Sequence, residues 1–264
     1  MKLWITGSKG MLAQDLRTLG NNFLESDKEV DITDEATVSS YISENKPDFI
    51  INCAAYTAVD NAESETELNF KLNAVGPEIL AKTGLPIIHI STDYAIDPIN
   101  AYGRAKAEGE ARIAKANPKH WIIRTAWLYG IHGKNFVKTM LSLMRTKEQI
   151  SVVSDQKGNP TWTRDLAAAM LKIAQNPKLP GIYNFSGEGV ASWHEFAIEI
   201  QKQALEKKLL ERKIPILPVA SSEWKSAAKR PLYSALDKTK IKENFGVEVP
   251  DWKDSLSKYL DLEK

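Results

Sequence analysis

Short apolar runs alternate with longer stretches of helical periodicity through the first half of the chain. Lys2–Thr6 is apolar and stops at Gly7, which reads as a buried strand, and the positions that follow to about Leu19 carry an amphipathic helical pattern. Phe23–Glu25 reads as a short strand and Glu35–Asn45 as a helix. Phe49–Ala55 is almost continuously apolar, as in a parallel strand covered on both faces. Helix Glu65–Lys82, strand Pro86–Tyr94, helix Ala105–Asn117 and strand Trp121–Gly130 continue the alternation. It predicts an α/β fold with a Rossmann-type, doubly wound parallel sheet.

The second half is less regular. Helices are expected at Asn135–Met144 and Asp165–Gln175, and strands at Gln149–Val153 and Gly181–Ser186. Trp193 to about Leu210 reads as an amphipathic helix with Trp193, Phe196, Ala197, Ile200 and Ala204 along one core-facing stripe. Pro215 and Pro218 then break the chain. No linker-like stretch separates two independent units. The expected division is a dinucleotide-binding domain at 1–129 plus 163–204, a smaller discontinuous substrate-binding subdomain at 130–162 plus 205–250, and a C-terminal helix at 251–264.

Composition narrows the function. At 264 residues the chain can bury a sizeable core. Its 35 basic and 34 acidic residues nearly cancel, so nothing points to nucleic acid. Cys53 is the single cysteine, which excludes an internal disulfide and fits a reducing compartment. The four histidines show no metal-ligand spacing, and no metal is expected. The apolar run at the start is too short for a signal peptide or a membrane span. The expectation is a cytoplasmic protein with no membrane partner. A homodimer is compatible with the chain but not specified by it.

Candidate chemistry begins at Gly7-Ser8-Lys9-Gly10-Met11-Leu12-Ala13, between strand and helix. Glycines there let the backbone approach a pyrophosphate, and the helix N-terminus offers free N–H donors. Taken alone, the turn is as easily an ordinary strand-to-helix connection. Glu25 suits a ribose hydroxyl, whereas Lys28 suits a 2′-phosphate, leaving NADH and NADPH both open. Asp31 is a candidate for the adenine amine, and Thr33 or Asp34 for the cap of the next helix. Ser91-Thr92 ends a strand where ligands bind in such sheets. Tyr102 and Lys106 are four residues apart, on one helical face at about 6 Å between Cβ atoms. An ammonium beside a phenol favours the phenolate and draws its pKa toward neutrality. Such pairs also occur on many solvated helices. Glycine turn, strand-end hydroxyl and Tyr-x-x-x-Lys in that order are much more specific together.

These residues resemble the extended short-chain dehydrogenase/reductases that act on nucleotide sugars, and more closely the dTDP-4-dehydrorhamnose reductase family. Asn52–Glu63 is similar to its N-A-A-x-T-A-V-D-x-A-E segment, Ser91–Tyr94 to S-T-D-Y, Pro98–Gly103 to P-L-N-x-Y-G and Arg124–Trp127 to R-T-S-W. Asn135-Phe136, Asp155-Gln156, Pro160-Thr161, Ser192-Trp193 and Arg230-Pro231 extend the likeness over almost the whole chain. The resemblance implies Tyr102 as proton donor, Lys106 as the group that lowers its pKa and binds the nicotinamide ribose, and Thr92 as the donor to the substrate carbonyl. It implies Gly7, Gly10, Met11 and Leu12 at the pyrophosphate, Asp31 and Ile32 at the adenine, and Ala55, Tyr56 and Thr57 along the middle of NADPH or NADH. Asp93, Tyr94 and Trp127 would line the sugar pocket, and Asn73 would support the proton path or the local geometry. Arg230 could hold the substrate diphosphate, a guanidinium matching phosphate oxygens. Two departures stand out: Ala13 replaces a third glycine, and only Ala95–Ala101 lies between Tyr94 and Tyr102, where the family carries a longer insert.

The implied reaction is reduction of the 4-keto group of a nucleotide-linked 6-deoxysugar, dTDP-4-dehydro-L-rhamnose first among them. Similar dehydratases follow the threonine with Asp-Glu, and here Tyr94 stands at the glutamate position. That argues against dehydration. A related epimerase, and a non-catalytic homologue serving as a regulatory subunit, are the alternatives; the intact Thr92, Tyr102 and Lys106 count against the second.

Overall fold

The computed structural model describes residues 1–263. Its elements run β1 (Leu3–Thr6), α1 (Met11–Leu19), β2 (Phe23–Ser26), α2 (Glu35–Asn45), β3 (Phe49–Asn52), α3 (Thr66–Phe70), α4 (Gly76–Lys82), β4 (Ile87–Thr92), α5 (Ala101–Ala116) and β5 (His120–Thr125). They continue with β6 (Leu128–Tyr129), α6 (Phe136–Thr146), β7 (Ile150–Val153), β8 (Lys157–Gly158), β9 (Thr161–Trp162), α7 (Thr163–Gln175), β10 (Gly181–Asn184) and β11 (Ala191–Ser192). α8 (Trp193–Glu206), β12 (Ile216–Val219), α9 (Thr239–Phe245) and α10 (Trp252–Asp261) complete the chain.

Six parallel strands form the main sheet in the order β10-β5-β4-β3-β1-β2. β1 pairs with β2 on one side and with β3 on the other, Trp4 lying opposite both Leu24 and Ile50. The winding therefore reverses at β1, and the crevice beyond the ends of β1 and β3 is where a doubly wound sheet binds its ligand. The expected fold class is what forms.

Two large apolar cores organise the molecule. One joins the sheet to α1, α7 and α9, through Leu16, Leu166, Met170, Ile241 and Phe245. The other is built on α6, α8 and α10, through Met140, Phe196, Ile200, Leu256 and Tyr259. α8 packs with the second core, and α9 with the sheet. Periodicity shows that a helix has an apolar face but not which core that face meets. A third cluster covers the opposite face of the sheet around Trp4, Val38, Leu80 and Ile113.

The helix expected over 65–82 is interrupted. A π-helical turn at Lys71–Val75 separates α3 from α4, and such turns tend to sit at functional sites. It faces Gly109 of α5, where an added Cβ would lie 2.1 Å from the Asn73 carbonyl oxygen. Gly109 thus lets the two helices meet, and Asn73 is turned toward the strand ends. None of the helices among the described residues is long and apolar enough to cross a membrane.

Candidate active site

The β1–α1 turn is built from backbone. Gly7 has φ +64°, and a Cβ there would lie 2.8 Å from the Ala54 Cα across the crevice. Only glycine avoids both the left-handed strain and that collision. α1 starts at Gly10 without a side-chain cap, leaving its first N–H groups to the crevice. Ala13 is fully buried against the sheet, so alanine serves where a third glycine is often found.

The start of α5 is held from three sides. Asn100 caps it by accepting from the Gly103 N–H at 2.7 Å, and its amide donates to the Lys229 carbonyl at 2.8 Å. Glu63 accepts from the Ala101 N–H at 2.7 Å, and Asn69 donates to the Ala101 carbonyl at 2.9 Å. The helix therefore begins at Ala101, four residues before the helix-forming stretch from Ala105, and carries Tyr102 in its first turn on one helical run with Lys106, as their spacing implies. Propensity alone gave no reason to extend the helix back across Gly103; the cap supplies it.

A cleft of 1010 Å³ runs from the glycine turn to Arg230. Gly7, Gly10, Met11, Leu12, Asp31, Ile32, Ala55 and Thr57 line one end. Thr92, Asp93, Tyr94, Tyr102, Lys106, Trp127 and Arg230 line the other. The structure thus gathers nearly all the sequence-derived candidates into one space. Tyr56 is the exception: its hydroxyl donates to Glu65 at 3.0 Å, and its N–H and C=O are bonded by the Asn73 amide at 3.2 and 2.9 Å. Asn73 accordingly braces the loop carrying Ala55 and Thr57. Glu25 is also displaced, paired with Arg17 at 3.0 Å outside the cleft, whereas Lys28 lines it. Asp34 caps α2, accepting from Ala36 N–H at 2.9 Å, and Asp31 accepts from Thr33 N–H at 2.8 Å.

At the reacting end, Thr92 donates to Asp93 Oδ1 at 2.8 Å and lies beside the Tyr102 hydroxyl. Asp93 Oδ2 is buried without a donor. Burial raises the Asp93 carboxyl to about 6, with its hydrogen-bonding neighbours offsetting part of the rise. Burial also raises the Tyr102 phenol above its ordinary value, and the nearby Asp93 charge adds to this. The expected pull of Lys106 on that phenol does not dominate here. Desolvation outweighs it in this arrangement, and Lys106 donates instead to the Ile90 carbonyl at 2.5 Å. The lysine is almost wholly buried, which lowers its own pKa to about 8.

The far wall is aromatic. Trp127 has φ +46°, a conformation that costs an indole-bearing residue about 1 kcal/mol or more. Its ring stacks on Trp193 with centroids 3.5 Å apart and planes 6° from parallel. Gly158 passes beneath, where a Cβ would lie 2.7 Å from the Trp127 ring. Trp193, the first residue of α8, packs against the core around Phe136 as its place in the apolar stripe implies, and it also lines the cleft. Asp60 was legible only as part of a motif. It accepts from both terminal nitrogens of Arg230, at 3.2 and 2.8 Å, and this pairing draws its carboxyl down to about 2. Arg230 also touches Tyr94.

A family profile described as "RmlD substrate binding domain" matches residues 1–264. The chain belongs to the dTDP-4-dehydrorhamnose reductase family. The reductase of that name from Aggregatibacter actinomycetemcomitans is 38% identical, with 97% of each chain aligned. That alignment has 284 positions against 264 residues here, so at least 20 have no counterpart in this chain. A crystal structure of a dTDP-4-dehydrorhamnose reductase from Clostridium acetobutylicum superposes with a TM-score of 0.93 at 38% identity, covering 100% of this chain and 99% of that one. The Bacillus anthracis enzyme, solved in complex with NADP, gives 0.93 at 37% identity over the full length of both chains.

Proposed function

We propose that this protein reduces the 4-keto group of a nucleotide-linked 6-deoxysugar, dTDP-4-dehydro-L-rhamnose to dTDP-L-rhamnose, with NADPH. Full-length similarity to reductases of that name carries the reading. The cleft fits the cofactor on its own terms: the Gly7 and Gly10 cradle would be filled by any side chain, and α1 presents uncapped N–H groups to it. Lys28 in the cleft, with Glu25 turned to Arg17, favours a 2′-phosphate and hence NADPH over NADH.

A bound nicotinamide supplies the hydride. Tyr102 gives its proton to the oxygen of the reduced carbonyl, and Thr92 donates to that oxygen as charge develops. Burial raises the phenol pKa, which keeps Tyr102 protonated before hydride arrives. Asp93 Oδ2, lacking a donor, accepts from a sugar hydroxyl. The Trp127–Trp193 stack excludes water from the sugar, and Arg230, oriented by Asp60, faces the diphosphate. The single thiol and a soluble nicotinamide cofactor support a cytoplasmic setting.

Turnover of dTDP-4-dehydro-L-rhamnose with NADPH and with NADH tests this directly. Oxidation of NADPH is expected, and Tyr102→Phe lowers kcat by about 10²–10⁴-fold while cofactor binding persists. No oxidation with any 4-keto nucleotide sugar would instead support the regulatory-subunit reading.

A further inference from the structure

His89 lies in the middle of β4, fully buried, and the mechanism above does not use it. Its two ring nitrogens are nonetheless fixed by specific partners. On one side, Asn52 Oδ1 accepts from the Thr6 hydroxyl at 2.7 Å and from the Ala54 N–H at 3.1 Å. A backbone N–H can only donate, so that oxygen is identified and the Asn52 amide nitrogen must face the imidazole. It meets His89 Nδ1 at 2.9 Å. Nδ1 is therefore the acceptor, and a neutral ring carries its proton on Nε2. Burial holds His89 well below its ordinary pKa, so the ring is neutral.

Nε2 lies 3.1 Å from Lys106 Nζ. An Nε2–H and an ammonium would point two donors at each other. A free amine has a lone pair for that N–H and still keeps hydrogens to donate to the Ile90 carbonyl. We propose that His89 is a positioning residue for Lys106: its Nε2–H, oriented by Asn52, stabilises the free amine, so that Lys106 exchanges its proton with solvent within the working pH range. The change is the loss of one proton from Nζ, whose lone pair then accepts the Nε2–H; no other bond is altered. The other groups around Lys106 do not take this role. Cys53 at the end of β3 is pushed up to about 12 by burial and stays a thiol. Glu110, one turn further along α5, is bonded by Ser91 at 2.5 Å and forked by Arg124 at 2.5 and 2.9 Å. Tyr102 and Asp93 face Thr92. Burial opposes the ammonium, and the Glu110 charge favours it.

The proposal rests on Lys106 taking part in proton transfer, so its test has one arm that reads His89 without turnover. In the wild-type protein with ¹⁵N-labelled histidine, the signal lost on His89→Gln should be a neutral Nε2–H tautomer throughout pH 6–9. An Nδ1–H tautomer, or titration of the ring in that range, overturns the proposal whatever the enzyme does. The second arm is the pH profile of kcat/KM. His89→Gln puts a carbonyl oxygen within reach of Nζ. Asn52→Asp accepts from Nδ1–H and turns Nε2 into an acceptor. Both changes favour the ammonium, and both should move the alkaline limb upward by a pH unit or more. If both variants bind cofactor and lose activity equally at every pH, His89 only packs, and the proposal fails. If Lys106→Met leaves turnover intact, the reading of Lys106 fails instead, and the tautomer result still decides what His89 does.

Discussion

The two ends of the cleft are built by different means. At the glycine turn, recognition is made by backbone: an uncapped helix start, Gly7 against Ala54, and small residues along the strand ends. At the sugar end, recognition is made by side chains brought together from distant segments. Thr92 ends β4 and Asp93 follows it, Trp127 and Trp193 come from the β5–β6 connection and α8, and Arg230 meets an aspartate 170 residues away. That end also holds the costly features: an unpartnered carboxylate oxygen, a left-handed tryptophan and a buried lysine. A common cofactor can be gripped by main chain, whereas a particular sugar needs side-chain chemistry placed on purpose.

The sharpest way to break this contrast is to add a side chain where only backbone fits. Gly7→Ala places a Cβ 2.8 Å from the Ala54 backbone at φ +64°. The collision and the left-handed strain together cost about 2–5 kcal/mol. Cofactor titration should show at least 100-fold weaker NADPH binding. Binding within three-fold of wild type would mean that the turn is not a close-approach cradle.

Asp93→Asn probes the opposite end. The folded carboxyl at about 6 lies above the ordinary value of 3.8, so the native state holds its proton more tightly than the unfolded chain does. Wild-type stability from this group is intact below about pH 4 and falls as pH rises toward 6. At two pKa units the loss is at most about 3 kcal/mol. The amide cannot ionise, so the variant should gain stability relative to wild type between pH 4 and pH 7 in urea unfolding, while its kcat/KM falls. An equal change in stability at both pH values would show that Asp93 is not held against its charge. A more stable but slower enzyme is what strain kept for function predicts.

Gly158→Ala tests the aromatic wall. The added methyl meets the Trp127 ring at 2.7 Å, and that ring also stacks on Trp193, so it has little room to move. Losing the stack forfeits about 1 kcal/mol. KM for the sugar nucleotide should rise about five- to ten-fold with NADPH binding unchanged. A rise in the NADPH dissociation constant would place Trp127 at the wrong end.

What could be read from sequence follows the same division. The strand–turn–helix unit, the buried strands and the Tyr102–Lys106 spacing are local, and periodicity with glycine position reveals them. The sugar end needs long-range pairing. Nothing near Arg230 in sequence announces Asp60, and nothing near Trp193 tells that its ring borders the cleft as well as the core. Glu25 and Tyr56 misled for a related reason: each is beside the cleft in sequence, but Arg17 and Glu65 draw their side chains away. The interruption at Lys71–Val75 was hidden because a π turn keeps the backbone helical on both sides and has no residue type of its own to announce it.

The gentlest change separates position from charge at the sugar end. In Asp60→Asn, Arg230 keeps its own charge and loses one of the two carboxylate oxygens that fix its plane. Asp60 is half exposed, so solvent screens the pair and the effect on folding should be small, within about 1 kcal/mol. Its effect on binding is the informative one. If Asp60 only orients the guanidinium, KM for the sugar nucleotide rises about three- to five-fold and kcat stays within two-fold. Arg230→Lys should cost more than Asp60→Asn, because an ammonium cannot replace the fork even with Asp60 in place. The reverse order, with Asp60→Asn the worse variant, would mean that Asp60 itself contacts the substrate and that Arg230 serves it.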